Sequence, residues 1–190
     1  MFYGRLMDIR SLDIPDVKLI RPRRFGDARG WFSETYRHDR LKDAGIDIDF
    51  VQDNQSFSAA TGTLRGLHFQ LHPHAQAKLV RVLTGRILDV AVDVRASSPT
   101  FGRHVAVELD AEAGDQLLVP VGFAHGFCTL VPDTTVFYKV SDYYAPQSDA
   151  GIRWDDPALG IAWPVKPGEA TLSEKDLKLP LLKDAGTPFA

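Results

Sequence analysis

Apolar and polar residues alternate with a period of two along much of this chain, and helical spacing is confined to short stretches. "LVRVL" (79–83) and "RILDVAVDV" (86–94) flank Thr84-Gly85; in the second run Leu88, Val90, Val92 and Val94 alternate with Asp89, Ala91 and Asp93. Two β-rich runs about a glycine turn predict a hairpin with one buried face. "HVAVEL" (104–109), "QLLVP" (116–120), "HGFCTL" (125–130) and "TTVFYKV" (134–140) continue the pattern, separated by "EAGD", "PVG" and "VPD" turn chemistry. This spacing predicts an all-β protein, an antiparallel barrel or double-sheet jelly roll.

Helical signals are few. "DRLKDA" (39–44) predicts a short helix ended by Gly45, and "SEKDL" (173–177) a single turn before Pro180. "RFGDARGWFSETY" (24–36) reads as strand, glycine-bounded turn, strand. The Pro- and Gly-rich stretch from Pro146 to Pro167 predicts an irregular wrap around the barrel. With no internal repeat or linker, residues 1–190 read as one domain, its core at about 17–176 and an irregular tail at 177–190.

Composition removes several classes of function. The balance of 22 Lys+Arg against 25 Asp+Glu offers nothing global to attract nucleic acid or an anionic membrane, so an anionic ligand needs local basic residues. Cys128 is the only cysteine, and "MFYGRLMDIRS" lacks a basic region followed by an apolar run. Disulfides, secretion and membrane spanning are therefore unsupported, and a reducing cytoplasm is expected.

The stretch "LRGLHFQLHPHAQAK" (64–78) places His68, His72 and His74 within seven residues. Gly66, His72, His74, position 78 and Gly85 fit the first motif of metal-binding cupin jelly rolls, and Pro120, Gly122 and His125 fit the second. Position 78, however, is Lys78, and a protonated ammonium has no lone pair for a metal. The scaffold reads as a cupin whose metal site has been replaced. His72 and His74, flanking Pro73, read as a solvated turn. His68 follows Arg65-Gly66-Leu67 in a strand where alternation puts Leu64, Gly66, His68 and Gln70 on one face and Arg65, Leu67 and Phe69 on the other. A small cavity lined by His68 is compatible with that placement, and so is a structural histidine.

Eight segments carry a resemblance to a known family. "FGDARGWFSETY", "FVQDNQS", "LRGLHFQ", "SPTFG", "VPVGFAHGF", "FYKVSDYYAP", "IRWDDPALGIAWP" and "LSEKD" stand in the order seen in dTDP-4-dehydrorhamnose 3,5-epimerases, from about Val17 to Asp176. The resemblance implies a cupin-type homodimer without metal or other cofactor. It also implies conversion of dTDP-4-dehydro-6-deoxy-D-glucose to dTDP-4-dehydro-L-rhamnose. Carbons 3 and 5 flank the carbonyl at carbon 4, so their protons are acidified by enolate formation; removal from one face and return to the other inverts each centre, and general acid–base groups suit both steps.

Residue by residue, the resemblance implies that His68 is the base and Asp176 the carboxylate that orients its imidazole. On its own sequence, Ser173-x-x-Asp176 reads instead as a helix cap. Tyr138 matches the acid, although alternation with Val136 and Val140 equally describes a core tyrosine. Lys78 acquires the task of stabilising the enolate oxygen. Arg29 and Arg65 match diphosphate and sugar contacts. Glu34, Gln52, Asp53 and Asn54 match nucleotide contacts, and His125 and Lys175 further substrate contacts. Two departures from the family pattern are Asp149 where a glutamate is usual and Ala77 where a glycine is usual. The alternatives are an epimerase acting at one carbon only, a sugar-nucleotide binding protein without turnover, and a metal-dependent cupin enzyme.

Overall fold

Residues 7–189 are described by a computed structural model; Met1–Leu6, the start of the segment read above for a leader, lie outside them. Thirteen strands follow in chain order. They are β1 (Met7–Ser11), β2 (Lys18–Pro22), β3 (Phe25–Asp27), β4 (Gly30–Phe32), β5 (Gln52–Ser58), β6 (Leu64–Gln70) and β7 (Lys78–Thr84), then β8 (Arg86–Asp93), β9 (His104–Asp110), β10 (Gln116–Val119), β11 (Phe123–Thr129), β12 (Thr134–Val140) and β13 (Asp149–Gly151). They form a six-stranded sheet ordered β1-β2-β10-β7-β12-β5, a five-stranded sheet ordered β13-β6-β11-β8-β9, and the separate β3–β4 hairpin. All pairings within these sheets are antiparallel, as the alternating patterns require.

The two large sheets face each other. Val80, Val82, Leu117 and Val119 from one pack against Ile87, Ala91, Leu109, Phe123 and Phe127 from the other. Full burial of each such side chain contributes about 1.5–3 kcal/mol. The outer face of the five-stranded sheet is also covered: Leu67, Phe69, Val90 and Val92 pack against Ile152, Leu159, Leu182 and Phe189 of the C-terminal wrap. On the outer face of the six-stranded sheet, Leu79 and Leu118 pack against Leu41 of α1 (His38–Asp43), the one α-helix among the described residues, which stops at Gly45 with φ +82°.

The predicted hairpin across Thr84-Gly85 does not form. β7 and β8 belong to different sheets, so Thr84-Gly85 is a corner where the chain changes layer. The expectation of one buried face is corrected with it. Leu88, Val90, Val92 and Val94 pack under the C-terminal wrap, whereas Asp89, Ala91 and Asp93, on the polar side of the pattern, point into the molecule and are fully buried. Asp93 is satisfied there by Arg95, Ser98 and Thr100, which hold its carboxyl down at about 2 although burial alone would raise it. Strands β6 and β9 to β12, the β3–β4 hairpin and α1 agree with the sequence pattern, whereas β1, β2, β5 and the short β13 within the Pro- and Gly-rich wrap were not predicted from it.

Candidate active site

A cavity of about 420 Å³ opens between the sheets, lined on one side by Arg65 and His68 of β6 and His125 and Phe127 of β11. Lys78 of β7, Tyr138 of β12 and Ser56 of β5 line it from the other sheet, and Ser173 and Asp176 from the C-terminal segment close it. A second lobe of about 290 Å³ shares His68, Lys78 and Tyr138 and runs on past Gln52, Asn54, Tyr144, Asp149 and Lys175. The two lobes make one groove with the three shared side chains at its waist.

Strict alternation would separate Arg65 from His68, but both line the groove, correcting the predicted faces. Opposite them, β11 pairs His125 with His68 and Phe127 with Arg65, so β6 carries one more residue than its partner over this interval. The extra residue falls at Gly66-Leu67. Leu64 and Leu67 pack outward while Arg65 and His68 both turn inward. Only glycine serves at 66: with φ +130°, a Cβ there would stand 2.5 Å from Gly126 Cα and 2.9 Å from His125 O.

His68 Nε2 lies 2.5 Å from Asp176 Oδ1. Asp176 begins the one-turn 3-10 helix Asp176–Lys178 and is buried. The choice between cap and histidine partner dissolves, because the two parts of the residue do different things. The Asp176 backbone N–H donates to Ser173 Oγ at 3.2 Å, which leaves its carboxylate for His68. Burial pushes the Asp176 carboxyl up, but the hydrogen bond and charge of His68, with Ser173 and Lys175, outweigh it and hold the group below the usual range.

Lys78 is buried, not solvated at a strand end. Its Nζ donates to His68 O at 3.1 Å, and burial lowers its pKa to about 8 against the opposing charges of Asp89 and Asp149. Tyr138 is half-buried; burial raises its pKa, opposed by Arg65, so the phenol keeps its proton at neutral pH. Arg65 is anchored by Phe57 O and Ser58 Oγ at 3.0 and 3.4 Å.

In the far lobe Gln52 Nε2 donates to Asn54 Oδ1 at 2.8 Å, and Asp149 accepts from Lys175 and from the Tyr144 hydroxyl. Asp53 faces the other side of β5 and pairs with Lys139 at 2.8 Å, so it lines neither lobe. Glu34 pairs loosely with Arg37 at 3.5 Å, and Arg29 sits at the tip of the β3–β4 hairpin against Asp27; both also stand outside the groove. His72 and His74 lie in the β6–β7 turn away from it, as their spacing predicts. Among the described residues, no group of three or more His, Cys, Asp or Glu side chains is arranged to hold a metal.

Sequence reasoning missed Asp89, whose Oδ1 lies 2.5 Å from His125 Nε2 beneath the cavity. Its signal was the pair of carboxylates inside the otherwise apolar "LDVAVDV", which alternation alone assigns to the face away from the core.

A histidine–carboxylate pair, a protonated phenol and a buried amine around one groove between two sheets define a site for moving protons on an anionic or carbonyl-bearing ligand. The family model for dTDP-4-dehydrorhamnose 3,5-epimerase matches residues 11–184, and the chain belongs to that family. The Sinorhizobium fredii dTDP-4-dehydrorhamnose 3,5-epimerase is 54% identical over 183 residues, covering 96% of this chain and 93% of that protein. A crystal structure of the Bacillus anthracis enzyme with TDP and pyrophosphate bound matches with TM-score 0.89 and 51% identity over 92% of this chain and 99% of that one. The Legionella pneumophila dTDP-6-deoxy-D-glucose-3,5-epimerase, solved in complex with dTDP-4-keto-L-rhamnose, matches with TM-score 0.91 and 43% identity over 97% and 98%. The double sheet is thus the cupin-type jelly roll of these epimerases.

Proposed function

We propose that this protein converts dTDP-4-dehydro-6-deoxy-D-glucose to dTDP-4-dehydro-L-rhamnose by epimerisation at carbons 3 and 5. The observation that carries this reading is the placement of His68 and Tyr138 on opposite sheets across one cavity. Inversion needs a proton taken from one face of the sugar and another delivered to the opposite face, and two facing sheets supply both groups without moving the ligand.

His68, with Asp176 fixing its tautomer and stabilising the imidazolium, takes the proton alpha to the ketone. Charge then develops on the carbonyl oxygen, where the Lys78 ammonium stabilises it. Tyr138 delivers a proton from the other side, and solvent restores the starting protonation states. Arg65, and the far lobe with Gln52, Asn54, Asp149 and Lys175, hold the diphosphate and nucleoside, with His125 below the sugar. The Asp149–Lys175 pair supports a nucleotide contact built differently from the family's glutamate.

The working form is a homodimer in the cytoplasm. Phe25, Trp31 and Phe32 on the β3–β4 hairpin are exposed, which favours their burial against a second copy. Such packing would give Arg29 and Glu34, outside the groove of their own chain, a groove to serve. No helix among the described residues is long and apolar enough to cross a membrane.

A one-centre reaction has one specific observation in its favour: a 3'-monoepimerase from Streptomyces bikiniensis matches with TM-score 0.86 and 37% identity. Proton NMR of the substrate incubated in D₂O after dialysis against a chelator, with the product trapped by a 4-reductase, separates the readings. Deuterium at carbons 3 and 5 with an L-rhamno product is expected. Exchange and inversion at one carbon would reassign the protein, and no exchange would refute the reaction.

A further inference from the structure

Behind the cavity-lining His125 lies a charged group that this scheme leaves unused. Asp89, on the inward side of β8, is fully buried. One carboxylate oxygen meets His125 Nε2 at 2.5 Å, and the other is buried without a hydrogen-bond partner. Such an oxygen is costly to keep in a folded protein, and its retention points to a use for the charge.

Lys78 has the complementary need. It is buried, and its Nζ donates to a carbonyl, His68 O, which is a dipole rather than a counter-charge. The charged and titratable groups around it come from every neighbouring element: Arg65 and His68 on β6, His125 on β11, Tyr138 on β12, Asp149 on β13, and Lys175 and Asp176 from the C-terminal turn. Asp176 is matched by His68, and Asp149 by Lys175 and Tyr144. Asp89 alone among these carboxylates keeps a fully buried oxygen without a partner.

We propose that Asp89 is a positioning residue of the epimerase: held by His125, its carboxylate is the counter-charge that keeps Lys78 an ammonium beneath the developing enolate oxygen. This rests on the reaction proposed above. Burial is what lowers Lys78 to about 8, and Asp89 is the largest influence opposing it. Without that carboxylate, Lys78 releases its proton closer to neutral pH and can no longer stabilise the enolate.

The test is Asp89→Asn, which keeps the shape and an oxygen for His125 but removes the charge. Lysines labelled with ¹³C at Cε are titrated by NMR, the Lys78 signal being identified by its loss in Lys78→Met. The Lys78 midpoint is expected to fall by about one pH unit or more, and the alkaline limb of kcat to move down with it, about tenfold in kcat at fixed alkaline pH. Binding of dTDP should be retained. An unchanged Lys78 midpoint overturns the proposal whatever happens to turnover. The titration needs no substrate, so failure of the parent protein to epimerise is a separate result. If Asp89→Asn does not fold, the double variant Lys78→Met/Asp89→Asn, which removes both charges, is expected to fold; its failure would make Asp89 a structural partner of His125 and overturn the proposal.

Discussion

Two histidine–aspartate pairs stand side by side in this molecule at the same 2.5 Å separation, and their histidines are cross-strand neighbours on β6 and β11. The surroundings differ. The His68 side chain is 29% exposed to the groove over a 3% exposed Asp176, whereas His125 and Asp89 are 7% and 0% exposed. A base must reach the reacting carbon and exchange its proton with solvent between turnovers, so the open pair suits chemistry. In the sealed pair the charges act on whatever lies nearby, because little water screens them. The contact itself is the same; access decides what it does.

Variants can break or sharpen this contrast. His68→Ala should have the largest effect, lowering turnover about 10³-fold and abolishing deuterium incorporation at both carbons; near-parental turnover would remove His68 as the base. His125→Ala should lower stability by about 3 kcal/mol in urea unfolding, because it leaves Asp89 buried with no partner. A loss below 1 kcal/mol would show the sealed pair to be energetically idle. Tyr138→Phe is expected to lower product formation about 10²-fold while some solvent exchange persists, as befits loss of the acid but not the base. Equal loss of exchange and inversion would place Tyr138 in the first step.

The pH dependence offers a finer measure. Lys78 has a native pKa of about 8, below its ordinary 10.5, so the unfolded chain binds more protons than the folded one between these values. Stability relative to Lys78→Met should therefore rise from pH 8 to 10.5, while kcat falls above pH 8 as the ammonium is lost. A flat stability difference over that window would contradict the assigned shift. The smallest effect is expected from Asp149→Glu, which adds one methylene at the far lobe. It should alter KM by a few fold, about 1 kcal/mol or less, with kcat unchanged, measured by steady-state kinetics.

Much of this was legible in the chain, and particular residues show where legibility stops. The strand Thr134–Val140 and its inward Tyr138 follow from alternation, and the stop of α1 from Gly45. Lys78 in a metal-ligand position announced a changed site from the sequence alone, yet its burial had to be seen. The same alternation failed at Arg65 and His68, where one extra residue against β11 reset the phase. It failed differently at Asp89, where a polar stripe that ordinarily meets solvent met the interior instead. That reversal depends on the C-terminal wrap burying the apolar stripe of β8 from outside.

Period, turn chemistry and motif are properties of neighbouring residues, so the strand runs 79–83, 86–94, 104–109, 116–120, 125–130 and 134–140 and the family could be read from the chain alone. Tertiary structure decided that β7 and β8 part at Thr84-Gly85 into facing sheets, that Ser173 caps the Asp176 backbone and frees its carboxylate for His68, and that Asp89 lies under the cavity. Each of those outcomes depends on partners far along the chain, such as Asp176 for His68 across 108 positions. A local pattern constrains which way a side chain turns but not what it meets there.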